Sequence, residues 1–250
     1  MATSKTIVLI TGANSGIGYE LVRQLLSQKD THILLGSRSL EKGQKALSTL
    51  QSLNLPGSVE LLQLDVSSPS SITAAAEKVT KDHGYISHLI NNAGIAMPPR
   101  EDMPLSDLMD LCFRTNATGT LLTTEAFGPL LLKSPTTPQR IINVSSGAGS
   151  IDRRLDPSST MYSTSAVHYR ASKAAMNMIT ADAAVQYGEK GVRVFAVCPG
   201  FTESGLSGFN TVEMGAKPVA EGAKPILDIL EGKRDEEHGL FLHVDGTIPW

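Results

Sequence analysis

Cysteine is scarce in this sequence, and no stretch concentrates charge of one sign or sustains a long hydrophobic run. The 250 residues include two cysteines, Cys112 and Cys198, far apart in the apolar contexts "DLCF" and "FAVCPG". That excludes a disulfide-stapled fold, and two reduced, buried thiols in a cytoplasmic protein are the expectation. The formal net charge of −3 comes without a block of lysines or arginines, so neither nucleic acid nor an anionic membrane is expected as a partner. A pyrophosphate ligand would have to be held by local geometry. The N-terminal "MATSKTIVLITG" carries one lysine and an apolar run too short for a signal-peptide core. Nothing later approaches the ~20 apolar residues of a membrane span. No metal is expected.

What is present suits a packed α/β protein. Apolar residues make up 41% of the chain and charged residues 19%, enough core and too little charge for disorder. On length alone, one large domain or two small ones would fit. Short buried runs alternate with longer amphipathic stretches. "TIVLI" (6–10), "HILLG", "VELLQL", "HLIN", "RIINVS" and "VRVFAV" read as strands. Residues 16–28, 40–50, 72–81 and 169–187 read as helices, and 106–133 contains a long one. This is the pattern of parallel strands with helical crossovers. None of these strands is joined to the next by a two-residue Asn-Gly or Asp-Gly turn, so hairpins have little support. With no repeat and no linker, the economical reading is one doubly wound domain over residues 1–250. Near the end "KPVAEGAKPILDIL" looks helical, but Pro225 should kink or restart it, and "GLFLHV" offers a last strand.

Three stretches could carry chemistry. The first strand runs into "TGANSGIG" (11–18) and then a helix. Glycines at 12, 16 and 18 allow a tight turn and a close approach of backbone N–H groups to an anion, which the helix N-terminus also favours. Tight strand-to-helix turns also use glycine for steric reasons alone. The second strand ends "LLGSRS", with Ser37 and Arg38 where an acidic residue would bond the ribose hydroxyls of NAD. An arginine there suits a 2′-phosphate, or is a solvated surface residue. "YRASK" puts Tyr169 and Lys173 one helical turn apart on one face. A nearby ammonium favours phenolate and would lower the tyrosine's pKa from about 10. Tyr162 fails that test, because Ala166 stands four residues on. His168 projects away from the pair.

Taken together, these stretches resemble the short-chain dehydrogenase/reductase family in its compact, single-domain form, from the first strand to about Ser204. "TGANSGIG", "LDV" (64–66), "NNAG" (91–94), "RTNATG", "VSS", "YRASK" and "CPG" follow in the family's order. The resemblance implies a Rossmann-like doubly wound parallel sheet binding NADP(H). It implies Tyr169 as general acid, Lys173 as its helper and ribose contact, Ser146 rather than Ser145 on the substrate oxygen, and Asn116 bending the long helix. Cofactor contacts would come from Gly12, Asn14, Ser15, Gly16, Ile17 and Gly18 in the loop, and from Ser37 and Arg38. Asp65 and Val66 would meet adenine, with Asn92, Ala93 and Gly94 nearby. Pro199, Gly200, Thr202 and Ser204 would flank the nicotinamide with Tyr169 and Lys173.

One departure is larger than the rest. The step from Ser146 to Tyr169 is 23 residues, longer than is common in the family. The extra segment "SIDRRLDPSSTMYS" and the closing "DGTIPW" resemble the carbonyl reductases and their C-factor-like relatives. Tyr162 falls in this segment, where packing or a substrate wall is its expected role. The resemblance thus implies reduction of a ketone or aldehyde of a small molecule by NADPH, in a homodimer or monomer. The rival readings are a non-catalytic NADP(H)-binding redox sensor, and an alcohol dehydrogenase working oxidatively.

Overall fold

The buried runs pair into one eight-stranded sheet ordered β3-β2-β1-β4-β5-β6-β7-β8. The strands are β1 (Thr6–Ile10), β2 (Thr31–Ser37), β3 (Ser58–Gln63), β4 (His88–Asn91), β5 (Arg140–Val144), β6 (Arg193–Val197), β7 (Phe241–His243) and β8 (Gly246–Thr247). The computed structural model describes residues 5–97, 102–163 and 165–250. The first seven strands are parallel, and the helices between them cover both faces. The expected Rossmann-like, doubly wound architecture is what forms.

Strand alternation divides the core. Ile7, Leu9, Leu34, Leu89 and Val194 pack with α3 (Pro69–Asp82), α5 (Gly119–Leu131) and α7 (Val167–Gly188). Val8, Ile10, Ile33, Ile90 and Phe195 pack on the other face with α1 (Gly16–Leu25), α2 (Leu40–Ser52) and α8 (Val219–Leu230). Neighbouring residues of one strand thus serve opposite layers.

Helix ends follow local chemistry. α3 starts three residues earlier than its apolar period suggests, because Ser68 caps it and Pro69 occupies the first turn. The helix expected over 16–28 ends at Leu25, and the chain turns at Leu26. The long 106–133 region is α4 (Leu105–Cys112), a π-helical segment (Phe113–Thr118) and α5.

Two expectations fail. Pro225 does not restart α8, which runs unbroken from Val219 to Leu230 through it. Its ring is buried beside Ala223, Ile226 and Ile229, and exposed Glu221 carries the carbonyl that loses its partner. Packing outweighs the ~3 kcal/mol an interior proline costs. The chain also ends in a hairpin, with β7 and β8 antiparallel across Val244 and Asp245. Gly246 holds φ +133°, open to glycine at no steric cost. Strands this short show no alternation to read.

No helix among the described residues is long and apolar enough to cross a membrane. β1 pairs with β2 on one side and β4 on the other. The chain therefore reverses its winding at this point, which opens a crevice beyond the C-terminal ends of these strands.

Candidate active site

The crevice is a cleft of about 960 Å³. Its floor is the turn from β1 into α1. Gly12 holds φ +63° with its missing Cβ only 3.0 Å from the Ala93 Cα, and Gly16 holds φ +56°. A side chain at Gly12 would push the two loops apart. The Thr11 hydroxyl accepts N–H bonds from Asn92 and Ala93 at 3.0 and 2.9 Å. The Asn92 amide donates back to the Thr11 carbonyl at 2.9 Å. "TGANSGIG" and "NNAG" are thus locked into one rim. α1 starts at Gly16, and Ser15 before it places no side-chain oxygen over the first turn. The N–H groups there are left for a ligand.

Most of the expected residues line this cleft: Gly12, Asn14, Ser15, Gly16 and Ile17, then Arg38, Asp65, Val66, Asn92, Ala93 and Gly94. Pro199, Gly200, Thr202, Ser204, Tyr169, Lys173 and Ser146 line it too. Two do not. Gly18 sits behind the loop, where a Cβ would stand 2.5 Å from the Asn92 amide nitrogen and 2.9 Å from the Ala13 Cα. Its smallness serves helix-to-rim packing. Ser37 is fully buried, and its hydroxyl donates to Asn14 Oδ1 at 3.2 Å and the Ser39 carbonyl at 2.9 Å. It braces the loop instead of facing a ligand. Ser39 and Lys42 take its place beside Arg38. Lys42 lies four residues past Arg38 in the first turn of α2, a helical spacing that was available in the sequence.

Asp65 is the single carboxylate among the residues lining the cleft, and it accepts from the Ser67 N–H and hydroxyl at 2.9 and 2.7 Å.

Tyr169, Lys173, Ser146 and Asn116 come together where β4, β5 and α7 meet. The two serines after β5 part company. The Ser145 hydroxyl donates to Asn177 Oδ1 at 2.6 Å, deep in the protein, whereas Ser146 hydrogen-bonds the Tyr169 phenol. Buried Lys173 donates to the Val144 carbonyl at 2.8 Å. Asn116 lies in the π-helical segment, out of the cleft. Its Oδ1 accepts from the Ile95 N–H at 2.9 Å, and its Nδ2 donates to the Ile95 carbonyl at 2.8 Å and to Ser172 Oγ at 2.9 Å. It holds the rim after Gly94 against α7.

The electrostatics depart from the expectation drawn from "YRASK". Burial pushes the Tyr169 phenol up to about 12, opposed by the Ser146 hydrogen bond. Burial also pulls Lys173 down to about 8. The reason is placement: the ammonium lies 5.8 Å from the centre of the tyrosine ring, and desolvation dominates both groups.

The substrate side is built by Ile95, Ala96 and Met97, by Met161, and by Phe201 and Phe209. Residues 98–101, which follow Met97 in the sequence, and residue 164, in the segment before Tyr169, lie outside the described residues. Tyr162 does not line the cleft. It is exposed, and its carbonyl accepts from Arg154, so the expected substrate wall is formed by Met161 instead. His168 bonds the Ala96 carbonyl at 3.0 Å. Cys112 and Cys198 are buried and free, and Cys198 Sγ accepts from the Gly147 N–H at 3.1 Å. Residues missed in the sequence include Lys42, Arg153 and His243, which reach the cleft from separate elements.

Among the described residues, His32, Glu60 and His83 bring three ligand-type atoms within 4.8 Å of one another. They sit at the opposite, N-terminal end of β2 and β3.

The sequence profile of the short chain dehydrogenases matches residues 6–213. The chain belongs to that family. Among short-chain dehydrogenases, it is 36% identical to the short-chain dehydrogenase anuI of Penicillium roqueforti, over 99% of this chain and 97% of that one. The NADPH-bound carbonyl reductase from chicken fatty liver superposes with a TM-score of 0.83 at 29% identity, covering 99% of this chain and 100% of that one. A 3-oxoacyl-[acyl-carrier protein] reductase of Brucella melitensis with bound NAD superposes with a TM-score of 0.78 at 25% identity, covering 97% and 90%. This short-chain dehydrogenase is therefore an oxidoreductase with carbonyl reductases among its relatives.

Proposed function

We propose that residues 1–250 form one NADP(H)-binding domain that reduces a ketone or aldehyde, with Tyr169 as the proton donor. The observation that carries this reading is the joint placement of Ser146, Tyr169 and Lys173 at one end of a cleft whose other end holds Arg38 and Lys42. The residues present fit the cofactor. The side-chain-free cradle at Gly12 and the open first turn of α1 suit a pyrophosphate. At the end of β2, two cations and no carboxylate suit a 2′-phosphate. The chicken relative's bound NADPH agrees with this, whereas the Brucella relative holds NAD.

When bound, NADP(H) supplies the hydride. The chain's own residues do the rest. Ser146 and Tyr169 fix the carbonyl oxygen by hydrogen bonds, and the phenol, neutral near pH 7, delivers its proton to that oxygen. Lys173, one helical turn on from Tyr169 in α7, would hold the nicotinamide ribose, and its ammonium would favour the phenolate left once the proton is delivered, which solvent then reprotonates. Asn116 keeps the Ile95 rim and α7 in register, and the apolar side chains at 161, 201 and 209 limit water. NADPH oxidation measured against a panel of ketones and aldehydes tests this reading. Turnover with NADPH supports it, and binding of NADPH without turnover of any carbonyl compound would favour the sensor instead.

A further inference from the structure

The charge of the cleft leaves one cation unexplained. Its lining holds Arg38, Lys42, Lys173 and Arg153 against the single carboxylate of Asp65, in a chain whose formal charge is −3. Arg38 and Lys42 are accounted for by a 2′-phosphate, and Lys173 by the reaction centre. Arg153 is left over. It stands on the short helix α6 (Ile151–Leu155), which the Ser150 hydroxyl starts by accepting from the Arg153 N–H at 3.2 Å. Its guanidinium Nη1 lies 3.2 Å from the point where a Cβ of Gly147 would be. Gly147 directly follows Ser146, so the absence of a side chain there admits the guanidinium next to the reaction centre. The side chain is half-buried, and among the described residues no carboxylate or carbonyl accepts from it. His243, on the same side, is held below its ordinary value by burial, opposed by the exposed Asp245 carboxylate at 3.4 Å and aided by Arg153 and Lys217. An imidazole carries no negative charge in either form, so His243 does not neutralise Arg153. A half-buried guanidinium with no partner, facing an open cleft, is an arrangement matched to an anionic oxygen pair. The rest of that end is apolar, from Met161, Phe201, Leu206 and Phe209.

Resting on the carbonyl-reductase reading, we propose that Arg153 is a specificity-determining residue that binds a carboxylate on the substrate. The preferred substrates are then keto or aldehyde acids with an apolar or aromatic body.

The test compares 4-acetylbenzoate with its methyl ester, which differ in the charge and keep the ketone. Calorimetric titration of the NADP⁺-loaded protein should show the acid binding ~10- to 100-fold tighter than the ester, the worth of a charge-assisted pair. Arg153→Met should abolish that preference while leaving ester and NADP⁺ affinity unchanged, and Arg153→Lys should restore part of it. In turnover, Arg153→Met should raise KM for the acid and spare kcat. Equal wild-type affinity for acid and ester would overturn the proposal. So would an Arg153→Met protein that loses both compounds alike, or one that loses NADP⁺, which would put Arg153 on the cofactor. Should Arg153→Met fail to fold, Arg153→Gln carries the same expectation. Acid-selective binding, with no NADPH oxidation by this acid or by any compound of the ketone and aldehyde panel, would leave the Arg153 site standing and sink the carbonyl-reductase reading alone.

Discussion

Lys173 holds its ammonium 5.8 Å from the centre of the Tyr169 ring and donates its hydrogen bond to the Val144 carbonyl at 2.8 Å. The two side chains share a helix face, as their four-residue spacing dictates, but their polar ends do not meet. Each is governed by its own burial, which keeps the phenol neutral and weakens the charge on the lysine.

That relationship fixes a pH dependence of stability. Lys173 drops from an ordinary 10.5 to about 8 in the folded chain, so between those values the unfolded state binds more protons and stability rises with pH. Below about pH 8 the penalty of the buried charge is present in full. Tyr169, raised to about 12, acts in the opposite sense only above about pH 10. Urea denaturation should therefore show the cofactor-free wild type gaining on the order of 2–3 kcal/mol relative to Lys173→Met between pH 8 and pH 10. A constant difference across that interval would place the lysine in a solvated site.

Cofactor preference follows from the end of β2. Arg38→Ala should weaken NADPH by ~10- to 100-fold and leave NADH nearly unchanged, as loss of a charge-assisted bond to a phosphate requires. Lys42→Ala should do the same to a smaller degree. Fluorescence titration with both cofactors reads this directly. Equal wild-type affinity for NADPH and NADH would contradict it.

The segment between Ser146 and Tyr169 is tied to the C-terminus by polar contacts. Ser150 Oγ donates to the Pro249 carbonyl at 2.7 Å, and the Asp152 N–H to the Trp250 carbonyl at 3.3 Å. None of the five residues of α6 is buried. Such a segment opens at low cost. Amide exchange over 147–163 should be fast in the free protein and slow markedly with NADP⁺ and product bound. Equally slow exchange in both states would show that it is no lid.

The parallel strands were legible because each of the central ones is buried on both faces and reads as an apolar run. The glycine rim, Ser146, Tyr169 and Lys173 were legible because their chemistry needs fixed residue types at short spacings. What escaped depends on which way a side chain faces. Ser37 and Arg38 are adjacent, yet Ser37 is the buried last residue of β2 and Arg38, just past the strand end, lines the cleft. Gly18 belongs to the same glycine pattern as Gly12 and Gly16, yet its missing side chain makes room for Asn92. Met161 faces the cleft and Tyr162 the solvent, a choice made in a loop with no period to reveal it. Arg153 comes up against Gly147, the residue after Ser146, a contact that no spacing in the sequence encodes.

The central claim is that the phenol of Tyr169, and not that of Tyr162, protonates the substrate. The measurement that tests it most directly is kcat for carbonyl reduction by the wild type, Tyr169→Phe and Tyr162→Phe at saturating NADPH, with NADPH affinity measured alongside. The account predicts a loss of about 10²–10⁴ for Tyr169→Phe at nearly unchanged cofactor affinity, the usual worth of a general acid, and most of the wild-type rate for exposed Tyr162→Phe. A Tyr169→Phe enzyme that keeps its rate, or a reversed ranking of the two variants, would contradict it.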